Sequence, residues 1–225
     1  MTRYTDNAPP PLARFTPAER GVIARLSTPN RVQRYLNRLP YNTEPRGETL
    51  RSFRQVLRQG RAHCSEAALM AACILEQHGY PPLLMTFESV DLLDHVIFVY
   101  RARGRWGSVA RSRDPGLHGR KAVFRSPRAL ALSYFDPYID PTGCITGYAL
   151  VDLRRLGRYD WRLSPRNIWA VERFLVHTPH KRIKSSRARV RRLRVWYQDY
   201  RAKHGRKPLA YRGRDKWTEI PAEFR

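Results

Sequence analysis

The chain is poor in cysteine, in acidic residues and in long apolar runs. Its three cysteines, Cys64, Cys73 and Cys144, are spread over 225 residues with no C-x-x-C pair. That spacing excludes a disulfide framework and a structural zinc site, and suits a reducing compartment. No stretch approaches the roughly 18 uninterrupted apolar residues of a membrane span, and residues 1–11 are polar and proline-rich. The expectation is a soluble, cytoplasmic protein with no metal or other cofactor and no membrane span. Acidic residues number 19 against 43 Lys+Arg, a net charge of +24 that attracts polyanions without selecting among them. The excess is uneven, because residues 177–225 hold 16 Lys+Arg and 4 Asp+Glu, a net of +12.

A hydroxyl residue followed by proline recurs as a helix-start signal, the side chain capping free N–H groups and proline fitting the first helical position. Thr16-Pro17 with Glu19 makes a capping box ahead of Val22, Ile23 and Leu26, and Thr28-Pro29 precedes Val32, Tyr35, Leu36 and Leu39 at helical spacing. Ser126-Pro127 leads into Leu130, Tyr134 and Phe135, and Ser164-Pro165 into Ile168, Val171, Phe174 and Leu175. A shorter helix is expected over 49–58, ended by Gly60, and another over about 64–78, closed by Gly79 ahead of Pro81-Pro82. Ala67, Ala68, Ala71 and Ala72 leave little side-chain bulk on the latter, which permits close packing against a sheet.

Strands are expected over 83–87, 95–100, 106 to about 112, and 145–153, with Arg103-Gly104 turning the middle two into a hairpin. Helices first and then mainly antiparallel strands define an α+β domain. At about residue 177 the pattern changes to a basic segment with Val190, Leu193, Tyr197 and Tyr200 on one helical stripe. The expected organisation is a disordered or loosely attached N-terminus over 1–15, an α+β domain over 16–176, and a basic helical extension over 177–225.

The strongest chemical signal is His63-Cys64 at the head of the alanine-rich helix, with Asp94-His95 on a later strand. A helix N-terminus biases a cysteine towards thiolate, and a nearby histidine can complete an ion pair or act as base. Strand alternation turns Asp94 away from His95. A two-residue turn at Arg103-Gly104 would instead set His95 opposite Ser112, with Asp114 as the diagonal neighbour, so either could orient the imidazole. Cys73, on the opposite helical face from Cys64, reads as core, as does Cys144.

A cysteine opening a helix, then a D-H strand continuing in apolar residues, then a G-x-W strand is similar to the transglutaminase-like superfamily within the papain-like cysteine-enzyme fold. The matching residues are Cys64, Asp94-His95-Val96-Ile97 and Gly104-Arg105-Trp106, and the resemblance spans roughly residues 30–140. The stretch 107–134 also looks like bacterial transglutaminase-like proteins of no established activity. The resemblance implies a catalytic triad in the order Cys, His, Asp, with the carboxylate four residues beyond the tryptophan. Ala110 stands there, leaving Ser112 or Asp114 to substitute.

The activity implied is acyl transfer on a peptide or protein amide, by hydrolysis or transamidation. Cys64 attacks the carbonyl, His95 protonates the leaving amine, and the Cys64 backbone N–H contributes to an oxyanion hole. Gln59, which resembles the glutamine donor of papain-like proteases, His63 and Trp106 are the candidates for the substrate and oxyanion side.

The alternative is a binding protein on the same scaffold with a degenerate site. Its basic segment, including Arg189, Arg191, Arg192 and Arg194 with interleaved Trp196, Tyr197, Tyr200 and Tyr211, would contact nucleic acid or another polyanion. The bland account of that segment is an amphipathic helix packed on the domain with a solvated basic face. Arg111, Arg113 and Arg120 likewise read as solvated basic surface, and His63 as a local cap or pocket wall.

Overall fold

The computed structural model describes residues 8–89, 92–135, 137–138, 145–205 and 207, with the backbone alone for 92–94. Cys144 and Tyr211 lie outside the described residues. Helix α1 (Pro17–Arg25) starts at the Thr16 capping box, with Glu19 N donating to Thr16 Oγ1 and Thr16 N to Glu19 Oε2. Helix α2 (Pro29–Arg38) starts at Thr28, and α3 (Phe53–Gln59) runs from the Ser52 cap to a left-handed Gly60 at φ 64°. Helix α4 (Cys64–Glu76) follows, almost wholly buried after its first turn.

Then come β1 (Leu83–Ser89), β2 (Leu92–Ala102), β3 (Arg105–Val109), β4 (Arg120–Phe124), α5 (Pro127–Leu132), β5 (Gly147–Asp152), α6 (Trp169–Val176), β6 (Lys181–Arg182) and α7 (Arg187–His204). The strands form one antiparallel sheet in the order β4-β3-β2-β1-β5-β6. The protein is therefore α+β. Alternate sheet residues feed two buried clusters. Leu84, Val96, Phe98 and Val151 meet the alanines of α4 in one, while Met85, Phe87, Ile97 and Val99 meet Leu130 and Tyr134 in the other.

Two helices begin four residues later than the sequence suggests. Residues 49–52 are diverted because Thr49 N donates to Glu44 Oε1 and Arg51 N to Glu66 Oε1, leaving Ser52 to cap α3. Residues 164–168 serve as partners for the segment before α3. Leu50 N donates to Asn167 Oδ1 and Ile168 N to Leu50 O, so α6 starts at Trp169 rather than after Ser164. Strands β4 and β6 carry no alternation that periodicity could find.

The ends of the expected domain also move. Phe15 is buried edge-on against Phe53, and Gln77 Nε2 donates to Pro10 O, so residues 10–15 belong to the folded domain. At the other end β6 pairs with β5 and Ile183 is buried, which carries the domain past residue 177 to the start of α7. Among the described residues no helix is long and apolar enough to cross a membrane.

The β2/β3 hairpin turns at Arg103-Gly104, both at positive φ, in the expected register from Ala102↔Arg105 to Phe98↔Val109. There β3 ends, well short of residue 112. Gln33 of α2 takes both backbone groups of Ala110, donating to its carbonyl at 2.8 Å and accepting from its N–H at 2.9 Å. These groups of Ala110 face away from β2, so the side-chain amide satisfies them on the β4 side, beyond the start of β4.

Gly119 lies against the same amide, where a Cβ would stand 2.1 Å from Gln33 Oε1 and 2.4 Å from Ser108 O. Gly119→Ala is expected to lower stability by about 1–3 kcal/mol through overpacking, measured as a lower urea midpoint at unchanged slope.

Candidate active site

Cys64 is the first residue of α4 and His63 its N-cap. Two residues into the helix, Glu66 is completely buried, and four donors saturate its carboxylate. They are Asn42 Nδ2 (3.1 Å), Thr49 Oγ1 (2.9 Å), Arg51 N (3.1 Å) and His63 N (3.1 Å). The last of these caps the helix from within. The network also joins residues 42–51 to α4 and gives the His63 ring a partner, because His63 Nε2 donates to Thr49 O at 2.8 Å.

His95 reaches the same sulfur from β2. Between Phe87↔His95 and Glu88↔Leu93 the β1/β2 register slips by one, which makes Asp94 an extra, bulged residue next to His95. The Asp94 side chain lies outside those described, so its expected orientation is not part of this geometry. On the other side of β2 the ladder with β3 has already ended, three positions before His95. The imidazole stacks on Phe87 at 6.0 Å and 13° and contacts Tyr134, and His95 Nε2 donates to Leu117 O at 3.1 Å.

Cys64 is partly exposed, its Sγ 3.8 Å from Ser65 Oγ, with the His63 and His95 rings beside it. Burial by itself would raise its pKa, but interaction with the two rings holds the thiol well below its ordinary range. Cys73, fully buried, is pushed well above that range by burial, reinforced by Glu76, and is inert core as expected. Burial lowers the His63 pKa; the Cys64 hydrogen bond and charge, Glu66 and the Thr49 carbonyl more than offset it, to about 9. Tyr41, held beside residue 62 by a backbone bridge, is kept protonated first by burial and then by the charge of Cys64.

The other expected site residues fall elsewhere. Ser112 Oγ accepts from Asp114 N at 3.1 Å in a turn after β3, and the Asp114 carboxylate lies 3.7 Å from Arg113. The chain curls at that turn, so the position opposite His95 passes to a main-chain oxygen, that of Leu117, rather than to Ser112 or Asp114. Trp106 pairs with Arg101, six positions along β2 from His95 and thus roughly 20 Å away. Gln59 is exposed at the end of α3 and makes no hydrogen bond among the described residues.

Arg120 is buried rather than solvated. Its guanidinium donates to Ser133 and to the carbonyls of Gly116 and His118, and lies over Tyr134. Arg111 donates to Leu39 O. His118, beside Ser112 O and Arg111, is lowered to about 4, chiefly by burial, and is neutral.

Sequence reasoning passed over Glu66, Thr49 and Tyr41. One signal was available: a lone acid in an apolar helix, three residues after an N-cap, is the spacing of a capping carboxylate. The two cavities described, of about 350 and 300 Å³, lie around Pro9 with Arg154 and Pro10 with Arg158, and neither is lined by Cys64, His63 or His95. Among the described residues no group of three or more His, Cys, Asp or Glu could hold a metal ion.

Since Glu66 accepts from four donors, Glu66→Gln turns an NH2 group towards donors. It is expected to cost about 2–4 kcal/mol, read by urea unfolding, and to slow alkylation of Cys64 as His63 loses its anchor. Neither a family model nor a curated protein matches this chain.

Proposed function

We propose that the protein is a cysteine acyl-transfer enzyme of the transglutaminase-like, papain-like type, acting on amide substrates with Cys64 as nucleophile and His95 as acid and base. The observation that carries this reading is one sulfur, at a helix N-terminus and partly exposed, with an imidazole from a neighbouring strand beside it and a pKa held well below that of a free thiol. Sγ of Cys64 forms a bond to the carbonyl carbon, the C–N bond breaks, and the proton carried by His95 leaves with the amine. Water or a second amine then gives a proton to His95 and attacks the thioester, and the C–S bond breaks to restore the thiolate. The Cys64 N–H, free at the first turn, is the oxyanion donor at hand. Leu117 O orients His95 by accepting from Nε2, which leaves Nδ1 for the proton that moves.

An amide needs its leaving group protonated and a p-nitrophenyl ester does not. On the full-length protein, intact-mass measurement should show one acyl adduct from a p-nitrophenyl ester, absent in Cys64→Ala. His95→Gln should keep acylation by the ester while acylation by an anilide falls about 100-fold or more. Absence of any Cys64 adduct from either donor sinks the proposal.

A second reading, polyanion binding, is favoured by the exposed face of α7. Arg191, Arg192 and Arg194 are exposed there, Trp196 stacks on Tyr200 at 5.4 Å, and Tyr200 meets His204 in a tilted contact at 4.5 Å. Arg189 does not belong to that face, since it is buried with its guanidinium over Phe135 and anchors the first turn. If the face binds single-stranded nucleic acid, Arg191→Glu with Arg192→Glu should weaken binding at least about tenfold and flatten its salt dependence by about one unit of slope or more. Unchanged affinity removes α7 as the footprint.

A further inference from the structure

We propose that His63 is a second imidazole of the Cys64 site, a fixed counter-ion that keeps the sulfur ionised while His95 handles the proton that travels. This rests on the same nucleophile as the acyl-transfer reading, but it concerns ionisation, which can be read without any turnover.

The case begins with what surrounds each ring. His63 Nε2 is committed to Thr49 O at 2.8 Å, and it has Glu66 Oε1 at 3.6 Å and Glu44 Oε1 at 3.7 Å. The ring sits beside the sulfur of the next residue, Cys64, and the His63 backbone N–H is tied to Glu66. With Nε2 occupied, Nδ1 is the nitrogen left for the sulfur. A doubly protonated ring therefore finds an acceptor for each N–H: a carbonyl with two carboxylates behind it on one side, a thiolate on the other. Arg51 Nη1 lies 3.8 Å from the Glu66 oxygen that also faces the ring, and is the other cation on that carboxylate.

His95 has a different setting. Its Nε2 faces a neutral carbonyl, its faces meet Phe87 and Tyr134, and among the described residues no carboxylate lies within ion-pair distance. The groups facing the sulfur are thus His63, His95 and Tyr41, with Glu44, Asp114 and Arg113 acting on Tyr41 from behind. The positive charge is best stabilised on His63, where two carboxylates supply it, and that ring is held at both ends and cannot swing towards a leaving group.

The sign of the effect follows. A cation beside the thiol lowers its pKa, so the thiolate persists to lower pH than in a free cysteine and is lost only below the depressed value. Removing the cation moves that loss to higher pH. His63 itself, raised to about 9, stays charged throughout the neutral range.

The test is the pH dependence of iodoacetamide alkylation at Cys64, mapped by peptide mass on the full-length protein. In His63→Gln the acid limb should move up by about one pH unit or more, with a tenfold or greater loss of rate near pH 6. His95→Gln should move it less. A His63→Gln profile that overlays wild type, or a larger shift in His95→Gln, overturns the assignment and leaves His63 as a helix cap.

Should His63→Gln fail to fold, NMR titration of the histidine rings settles the matter from the other partner. The His63 resonance should titrate near 9 and fall by about one unit or more in Cys64→Ala. An unmoved His63 titration overturns the proposal. A shifted alkylation profile in a protein that no acyl donor modifies would strike the acyl-transfer reading alone, and acyl transfer with an unshifted profile would strike the role of His63 alone.

Discussion

A carboxylate with no exposure to solvent must be matched donor for donor, and Glu66 is matched by Asn42, Thr49, Arg51 and His63. The partners come from different segments, which the carboxylate ties to the start of α4. Asn42 and Thr49 bring in the irregular stretch before α3, Arg51 delays the start of α3, and His63 fixes the entry into α4. Cys64 inherits its position from that arrangement, one residue past a cap held from two directions. The buried charge therefore sets the geometry of the nucleophile even though it does not touch the sulfur.

His95 is placed by two local departures from a regular sheet. The one-residue bulge at Asp94 resets the strand beside it, and the β2/β3 ladder, which ends at Phe98↔Val109, leaves His95 without a neighbour from β3. A continuous β2/β3 ladder would have filled the edge of β2 at His95 with backbone. Its absence lets the N-terminus of a helix on one face of the sheet meet a histidine whose neighbours Ile97 and Val99 point into the other cluster. The catalytic candidates thus meet where the sheet is incomplete.

The parts of this arrangement that depend on local chemistry were legible in the residues. Thr16, Thr28 and Ser126 cap the helices they precede, Gly60 ends α3, and the Arg103-Gly104 turn gives the hairpin register as far as Val109. The Cys64–His95 pair could be named because a thiol at a helix start and an imidazole on an apolar strand each stand out. What failed was continuation. Extending the hairpin to Ser112 assumed that a ladder runs until its residues stop alternating, whereas pairing ends at Val109 and Ala110 is held on the side away from β2 by Gln33, 77 positions away in sequence. The Leu117 carbonyl had no side-chain signature at all, since any residue there would offer the same oxygen. The helix starts after Ser164 and Thr49 failed for the related reason that long-range partners outbid a local cap.

The missing carboxylate behind His95 takes on a different meaning beside His63. A carboxylate on an imidazole holds the charged form, which is useful when that ring must both create the thiolate and wait as imidazolium. A carbonyl orients the ring and holds the proton less tightly. If His63 is the fixed cation beside Cys64, as proposed, His95 has only to be oriented and, when it carries a second proton on Nδ1, to pass that proton to the leaving amine. Two groups then share what one carboxylate-backed histidine does alone, and Ala110, where a carboxylate was expected, is no obstacle to the chemistry. The acidic residues that supply the site's negative charge are Glu66 and Glu44, on the cysteine's side of the sheet rather than the histidine's.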